Sequence, residues 1–155
     1  MSILKVDTIN EKTSGNGVAI PGHVVQVVQG LGNTARQTYS STSYQDIIIV
    51  SITPKFSTSK ILVTAHTSLT RSQSAYINGQ ITRGSTQILS LDTQAGYIAS
   101  LTNNEHSMGS LSGEILDAPS TTSATTYRLQ LRVSGGSGGI FIDGQPVITA
   151  MEIAQ

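Results

Sequence analysis

The chain of 155 residues contains no cysteine and no tryptophan. Without cysteine there are no disulfides, no thiolate metal ligands and no cysteine nucleophile. Charged residues are scarce too, at 12% of the chain, about half the usual share. Nine basic residues balance nine acidic ones, and no basic run occurs. A duplex binder needs clustered Lys and Arg to displace counterions from phosphates, so nucleic acid is not an expected partner. No apolar run approaches the roughly 20 residues that cross a bilayer. The opening MSILKVDTIN lacks the apolar core of a signal peptide. The expectation is a protein made and used in a cytoplasm without export, with no membrane partner. Proline is rare, at 4 residues, and helical periodicity is absent almost everywhere.

What fills the gap is Ser and Thr, together roughly a quarter of the chain, against an average background that is far richer in Lys and Glu. With 15 glycines and 37% hydrophobic residues, this composition suits β-structure and lacks the material of surface helices. The length is that of one domain with room for a sizeable core. A net charge of zero gives a free monomer little repulsive protection against association, so it suits a subunit of an assembly.

Along the chain, a short arm over residues 1–30 precedes one β-domain over residues 31–155. The arm contains SILKVDTI, the turn-rich EKTSGNG and the extended VAIPGHVVQVVQG. In the domain, strands are expected near 36–40, 46–53, 60–70, 74–82, 86–91, 96–102, 108–116, 125–133, 139–142 and 147–154. The run DIIIVSIT is apolar at nearly every position, as in a strand buried on both faces. In KILVTAHTSL, Ile61, Val63, Ala65, Thr67 and Leu69 share one face and Leu62, Thr64, His66 and Ser68 the other. In TYRLQLRV, Tyr127, Leu129, Leu131 and Val133 point inward. The last strand sets Val147, Thr149, Met151 and Ile153 on one side. Asn78-Gly79 and Asp143-Gly144 read as tight hairpin turns. About ten short strands separated by Gly, Asn and Asp turns predict an all-β fold, a β-sandwich. Strand number favours a jelly roll with a short extended N-terminal arm, over an immunoglobulin-like sandwich.

Catalytic patterns are literal but out of context. Gly135-Gly136-Ser137-Gly138-Gly139 matches G-x-S-x-G, yet no helix follows to make a nucleophile elbow. His23, His66 and His106 share no metal-ligand spacing. His66 belongs to a polar strand face and His106 to a loop tip. Among the nine carboxylates, Asp143 is explained by its turn, and Glu152 is a candidate partner for Arg128 or Arg132. No phosphate loop or dinucleotide fingerprint is present. The expectation is a non-enzyme with no metal and no cofactor. Tyr39, Tyr44, Tyr76 and Tyr97 are available for sugar stacking or an interface, while Tyr127 belongs to the core.

Several segments together carry a resemblance. They are ILKVDTI, IPGHVVQVVQ, SYQDIIIVSITPKFSTSKILV, ITRGST, LDAPSTTSATTYRLQL and ITAMEIAQ, in that order. The set resembles virion structural proteins of bacteriophages of the cyanophage and marine-phage type. The resemblance implies a trimeric jelly-roll domain of the tumour-necrosis-factor type, used either as a head decoration (cement) protein or as a tail-fibre tip. It implies a homotrimer. Met151 and Ile153 in the final strand are candidates for the trimer interface, with intramolecular core as the alternative.

The chain has no coiled-coil heptads and no long repeat, which favours cement over fibre. On that reading Ile3, Leu4, Val6 and Ile9 of the arm bury against neighbours in the trimer or on the capsid, with a strand added to the chain's own sandwich as the alternative. The partners are then other copies of the chain and the major capsid protein, on the exterior of a virion assembled in the host cytoplasm. The alternative is a receptor-binding tip whose loops, such as 102–107 and 134–139, contact a host-surface glycan or protein.

Overall fold

The computed structural model of the chain describes residues 8–12, 14–15, 17–18, 20–72, 75–93, 106–136 and 139–155. Ten strands are described: β1 Val24–Leu31, β2 Gln37–Tyr39, β3 Gln45–Ile52, β4 Lys60–Ser72, β5 Ala75–Arg83, β6 Thr86–Thr93, β7 His106–Asp117, β8 Thr125–Gly136, β9 Ile140–Ile142 and β10 Val147–Ile153. They form two antiparallel sheets. The smaller has the order β3-β8-β5-β6. In the larger, β4 carries β7 on one side, while β10 and β9 follow each other along its other side. There β1 covers β10 and β2 covers β9. Counting β1/β2 and β9/β10 as interrupted strands leaves four positions per sheet. In chain order the positions read 1-8-3-6 and 2-7-4-5. That is the jelly-roll order, in which two Greek keys wrap eight strands into a sandwich.

The core lies between the sheets, because strands alternate their side chains and each sheet turns one face inward. From the larger sheet come Ile61, Val63, Ala65, Leu69, Leu111, Ile140, Ile142, Ile148 and Ala150. From the smaller come Ile48, Val50, Ile77, Ile81, Tyr127, Leu129, Leu131 and Val133. The alternations read in KILVTAHTSL and TYRLQLRV both hold. DIIIVSIT is corrected: β3 is an edge strand whose Ile48, Val50 and Ile52 are buried, while Ile49 is 42% exposed. Consecutive isoleucines satisfied a β-propensity there without two covered faces. Residues 24–30, assigned from sequence to the arm, form most of the outer strand of the larger sheet and pair with β10.

Both expected hairpin turns are corrected. Asn78 and Gly79 lie in the middle of β5, paired with β6 and β8. The β5–β6 turn is instead Gly84-Ser85, with Gly84 at φ 58°. Glycine stands at 79 for space: a Cβ there would sit 2.6 Å from a methyl of the buried Leu111. Asp143-Gly144 interrupts two strands that run end to end along β4, so it joins no hairpin. The strand expected over 96–102, with Tyr97, lies outside the described residues.

Close approach also governs the edge where the two sheets meet. Gly30 in β1 faces β3, and a Cβ on it would lie 2.5 Å from the carbonyl oxygen of Ile49. A backbone atom cannot step aside as a side-chain tip does. Gly30→Ala is therefore expected to lower stability by about 1–3 kcal/mol, the range for overpacking. Urea unfolding measures it, and an unchanged midpoint would show that β1 and β3 are free to separate.

Candidate functional site

The outer faces of the two sheets have opposite character. That of the smaller sheet is mainly a polar ladder, with Ile49 beside Arg128 as its one exposed large apolar side chain among the described residues. Ser51 and Thr126 share a hydrogen bond of 3.0 Å. Arg128 Nη1 donates to Asp46 Oδ2 at 2.7 Å, and Gln130 Nε2 to Asp46 Oδ1 at 2.7 Å. Gln80 Nε2 then donates to Gln130 Oε1 at 2.7 Å. The guanidinium of Arg132 stacks 4.8 Å over the Tyr44 ring. Apart from Arg132 Nε, which is buried without a hydrogen-bond partner, these groups satisfy one another across strands, which is how a solvated sheet face is stabilised.

The larger sheet presents apolar side chains instead. Register places Val27 of β1 beside Met151 of β10, Met151 beside Leu62 of β4, and Leu62 beside Leu116 of β7. One apolar row thus crosses the whole sheet, and its ends, Val27 and Leu116, are 54% and 47% exposed. Ile153 beside Val24 extends the patch on one side, and Leu31 beside Val147 lies two pairs away on the other. Between them runs a polar row of Gln29, Thr149, Thr64 and Glu114. Met151 and Ile153 therefore lie on this half-exposed outer face. The core face of the same strand is Ile148, Ala150 and Glu152.

The sequence reading missed Leu62 and Leu116. Leu62 sits among Thr64, His66 and Ser68 and was absorbed into a polar face. Only the register of three strands shows that it continues a row.

The arm adjoins this patch. Gly22 N–H donates to Ala154 C=O at 2.8 Å, and Ala154 N–H to His23 C=O at 2.9 Å, so the arm's last residues prolong the β1–β10 pairing. Farther out, both carboxylate oxygens of Glu11 accept backbone N–H groups, from Gly15 and Gly17, at 2.7 Å each. Ile9, Val18, Ile20, His23, Val24 and Val25 line an open groove of about 270 Å³. Ile9 is 57% exposed there. Ile3, Leu4 and Val6 lie outside the described residues.

No family model matches the sequence, and no curated protein matches it. Solved structures do. The VP2 subviral particle of infectious bursal disease virus matches at 14% identity and a TM-score of 0.42, covering 83% of this chain and 37% of that one. The Gt strain of that virus matches at 11% identity and 0.40, over 97% and 42%. Its T=1 particles match at 10% identity and 0.41, over 98% and 41%. The chain spans about two fifths of the length of these proteins. At such identities the fold is defined by the chain's own strand order.

The buried ionisable groups are structural anchors. Glu152 has no exposure at all. Its Oε1 accepts the backbone N–H groups of Lys55 at 2.8 Å and Phe56 at 3.2 Å. Its Oε2 accepts Gln26 Nε2 at 2.6 Å. The expected pairing with Arg128 or Arg132 is thus corrected, because Glu152 points into the sandwich and those arginines point out of it. Burial alone raises a carboxyl pKa. Here hydrogen bonds from Gln26, Lys55 and Phe56 outweigh it and hold Glu152 below the ordinary value. The buried Ser59 hydroxyl also favours the anion without reaching hydrogen-bond geometry.

The second anchor is Asp117. Tyr127 O–H donates to its Oδ2 at 2.7 Å, and Arg83 Nη1 to Oδ1 at 2.8 Å and Oδ2 at 2.9 Å. Burial, then the hydrogen bond and charge of Asp117, push the Tyr127 phenol well above its usual range, with Arg83 opposing. That phenol stays protonated and serves as a donor, not as a base.

Other candidate chemistry is not assembled among the described residues. No group of three or more His, Asp or Glu is placed to hold a metal there. His66 is exposed on the larger sheet and His23 is exposed in the arm. The chain at His106 opens β7 instead of capping a loop. Ser137 and Gly138 of the G-x-S-x-G match lie outside the described residues. An open hollow of about 350 Å³ adjoins Arg83, Pro119, Thr121 and Arg128. Both of its guanidiniums already hold carboxylates, those of Asp117 and Asp46, so the hollow offers no net charge to an anion.

Glu152→Gln keeps the shape and removes the charge. It is expected to cost about 1.5–3 kcal/mol near neutral pH, the worth of hydrogen bonds to a charged group. Because the folded pKa is lowered, this stability is fully present above the unfolded carboxyl pKa. It is lost as pH falls through the folded value. Urea unfolding of both proteins between pH 7 and pH 3 should show their difference shrinking toward acid. A difference that stays constant would mean Glu152 does not act through its charge.

Proposed function

We propose that this chain is a structural protein of a virus particle, a phage head-decoration protein that binds the capsid exterior as a homotrimer and bridges capsomers. The observation that carries the reading is the split between its two outer faces. One satisfies itself with cross-strand hydrogen bonds and ion pairs, as a face toward solvent does. The other leaves an apolar row uncovered, as a face toward neighbouring subunits does. The near-neutral composition and the ordered resemblance to phage virion segments support the same reading. The arm then reaches the major capsid protein through Ile9 and the preceding Ile3, Leu4 and Val6.

Such a protein works mechanically. Each contact is weak, but many repeated contacts on a shell act as one multivalent attachment. Ser- and Thr-rich surfaces supply hydrogen bonds without the desolvation cost of buried charge.

Copy number per virion tests this, measured by quantitative mass spectrometry against the major capsid protein. Tens to hundreds of copies in a fixed ratio to that protein are expected. A few copies that scale with tail proteins would replace cement with a receptor-binding tip on a host-surface glycan or protein. Absence from purified particles would end the virion reading.

Deleting residues 1–20 is expected to abolish binding to undecorated capsids while leaving the β-sheet circular dichroism intact. The described β1–β10 pairing begins beyond that segment. Unchanged capsid binding would remove the docking role from the arm.

A further inference from the structure

The proposed assembly leaves open which surface joins one copy to the next. We infer that copies of this chain bind one another through the outer face of the larger sheet, with the row Val27–Met151–Leu62–Leu116 at the centre of the contact. This rests on the multi-copy reading above and adds its interface.

An apolar row crossing four strands has no function in an isolated sandwich. Its inner counterpart, Ile148, Ala150, Ile61 and Val63, already supplies the core. Scattered exposed leucines need no explanation, but a contiguous row rimmed by polar residues marks a contact surface. The smaller sheet makes the contrast within the same molecule, since its equivalent positions hold Asp46, Gln80, Arg128 and Gln130, all hydrogen-bonded.

Charge on this face favours a copy of the chain as occupant. Within β1, β10, β4 and β7 the outward charged side chains among those described are Lys60 and Glu114, while at the β9 end Arg36 stacks over the outward Phe141 and is paired with Asp143, adding no net charge. Lys60 lies one outward position before Leu62 on β4. Glu114 pairs with Thr64, one outward position beyond Leu62. The opposite charges thus flank the Leu62–Leu116 pair on its two sides. Two copies meeting here can set Lys60 of one toward Glu114 of the other and carry no net repulsion. A like-charged face would oppose its own copy.

Size agrees. Four strands about 4.8 Å apart, each presenting about seven residues at a rise of about 3.4 Å, cover on the order of 400 Å² in projection. Side-chain relief, and the continuation through Val24, Ile20 and Ile9, brings the patch toward the about 800 Å² that each partner gives to a standard interface. The apolar row, widened by Val24 and Ile153 on one side, is bordered on the other by the polar row of Gln29, Thr149, Thr64 and Glu114, so apolar contact and hydrogen-bonding groups lie side by side as in other protein contacts.

Sedimentation velocity of the purified full chain at tens of micromolar tests the inference. The native protein is expected at a multiple of the chain mass. The double variant Leu62→Asp, Met151→Asp should sediment as a monomer, with native circular dichroism and a cooperative thermal transition. Should that variant unfold, Val27→Lys and Leu116→Lys carry the test, because both sites are about half exposed and tolerate charge in a monomer. Ser51→Asp on the polar face should leave the mass unchanged.

A native monomer would overturn the inference. So would a folded variant that keeps the native mass, or a Ser51→Asp protein that dissociates equally. An oligomer that survives the substitutions moves the contact elsewhere and leaves the virion reading standing. Absence from particles removes the virion reading while an oligomer broken by the substitutions keeps the contact.

Discussion

The carboxylate of Glu152 is the constraint on which the rest of the sandwich depends. It sits on the core face of β10 with no exposure, where an unpaired charge would be very costly. Three donors make it tolerable, and they come from two separate parts of the chain. Gln26 belongs to β1, and the N–H groups of Lys55 and Phe56 to the crossover from β3 to β4. Gln26 also donates to Thr53 C=O at 2.7 Å in that same crossover. One anion therefore ties the first strand, the last strand and the link between the sheets. Misplacing any of the three leaves a buried charge unsatisfied, so the network selects one register as well as adding stability. The Asp117 cluster does similar work elsewhere, joining the ends of β7, β5 and β8 through Tyr127 and Arg83.

With registers held in this way, the outer faces follow. Because strand side chains alternate, a fixed register assigns every residue of β1, β10, β4 and β7 to one side. A one-residue slip of β10 would bring Met151 and Ile153 into the core and expel Glu152. The buried carboxylate thus also determines which apolar residues remain outside. The link runs from one ionisable side chain, through register, to the surface available for partners.

Much of this was legible in the sequence where alternation was clean. TYRLQLRV alternates polar or charged residues with large apolar ones, KILVTAHTSL does so except at Leu62, Ala65 and Thr67, and their inward sets were read correctly. Fold class followed from strand number and turn residues. Misreadings arose where one local signal had two physical causes. Asn78-Gly79 carries turn chemistry, yet glycine is needed there because Leu111 fills the space a Cβ would take. DIIIVSIT reads as doubly buried, yet β3 is an edge strand. Glu152 looked like a surface partner for an arginine, since nothing local reveals that donors from residues 26, 55 and 56 converge on it. The apolar row was least legible. Its four members come from four strands, and in their own segments each passes for an ordinary alternating residue.

A face of this kind has an energetic reason to stay modest. If the row were larger and unbroken, the free chain would aggregate before assembly, because a protein with no net charge has little electrostatic protection. The polar row of Gln29, Thr149, Thr64 and Glu114 interrupts the apolar surface within one strand repeat. Lys60 adds a charge at its edge. These residues weaken any nonspecific stacking, which would leave some of them unpaired, more than a docked arrangement that satisfies them. Low affinity per contact is acceptable where contacts are repeated many times around a shell, since the assembly multiplies them. Scarce charge, one self-satisfied face and one interrupted apolar face are then parts of a single solution.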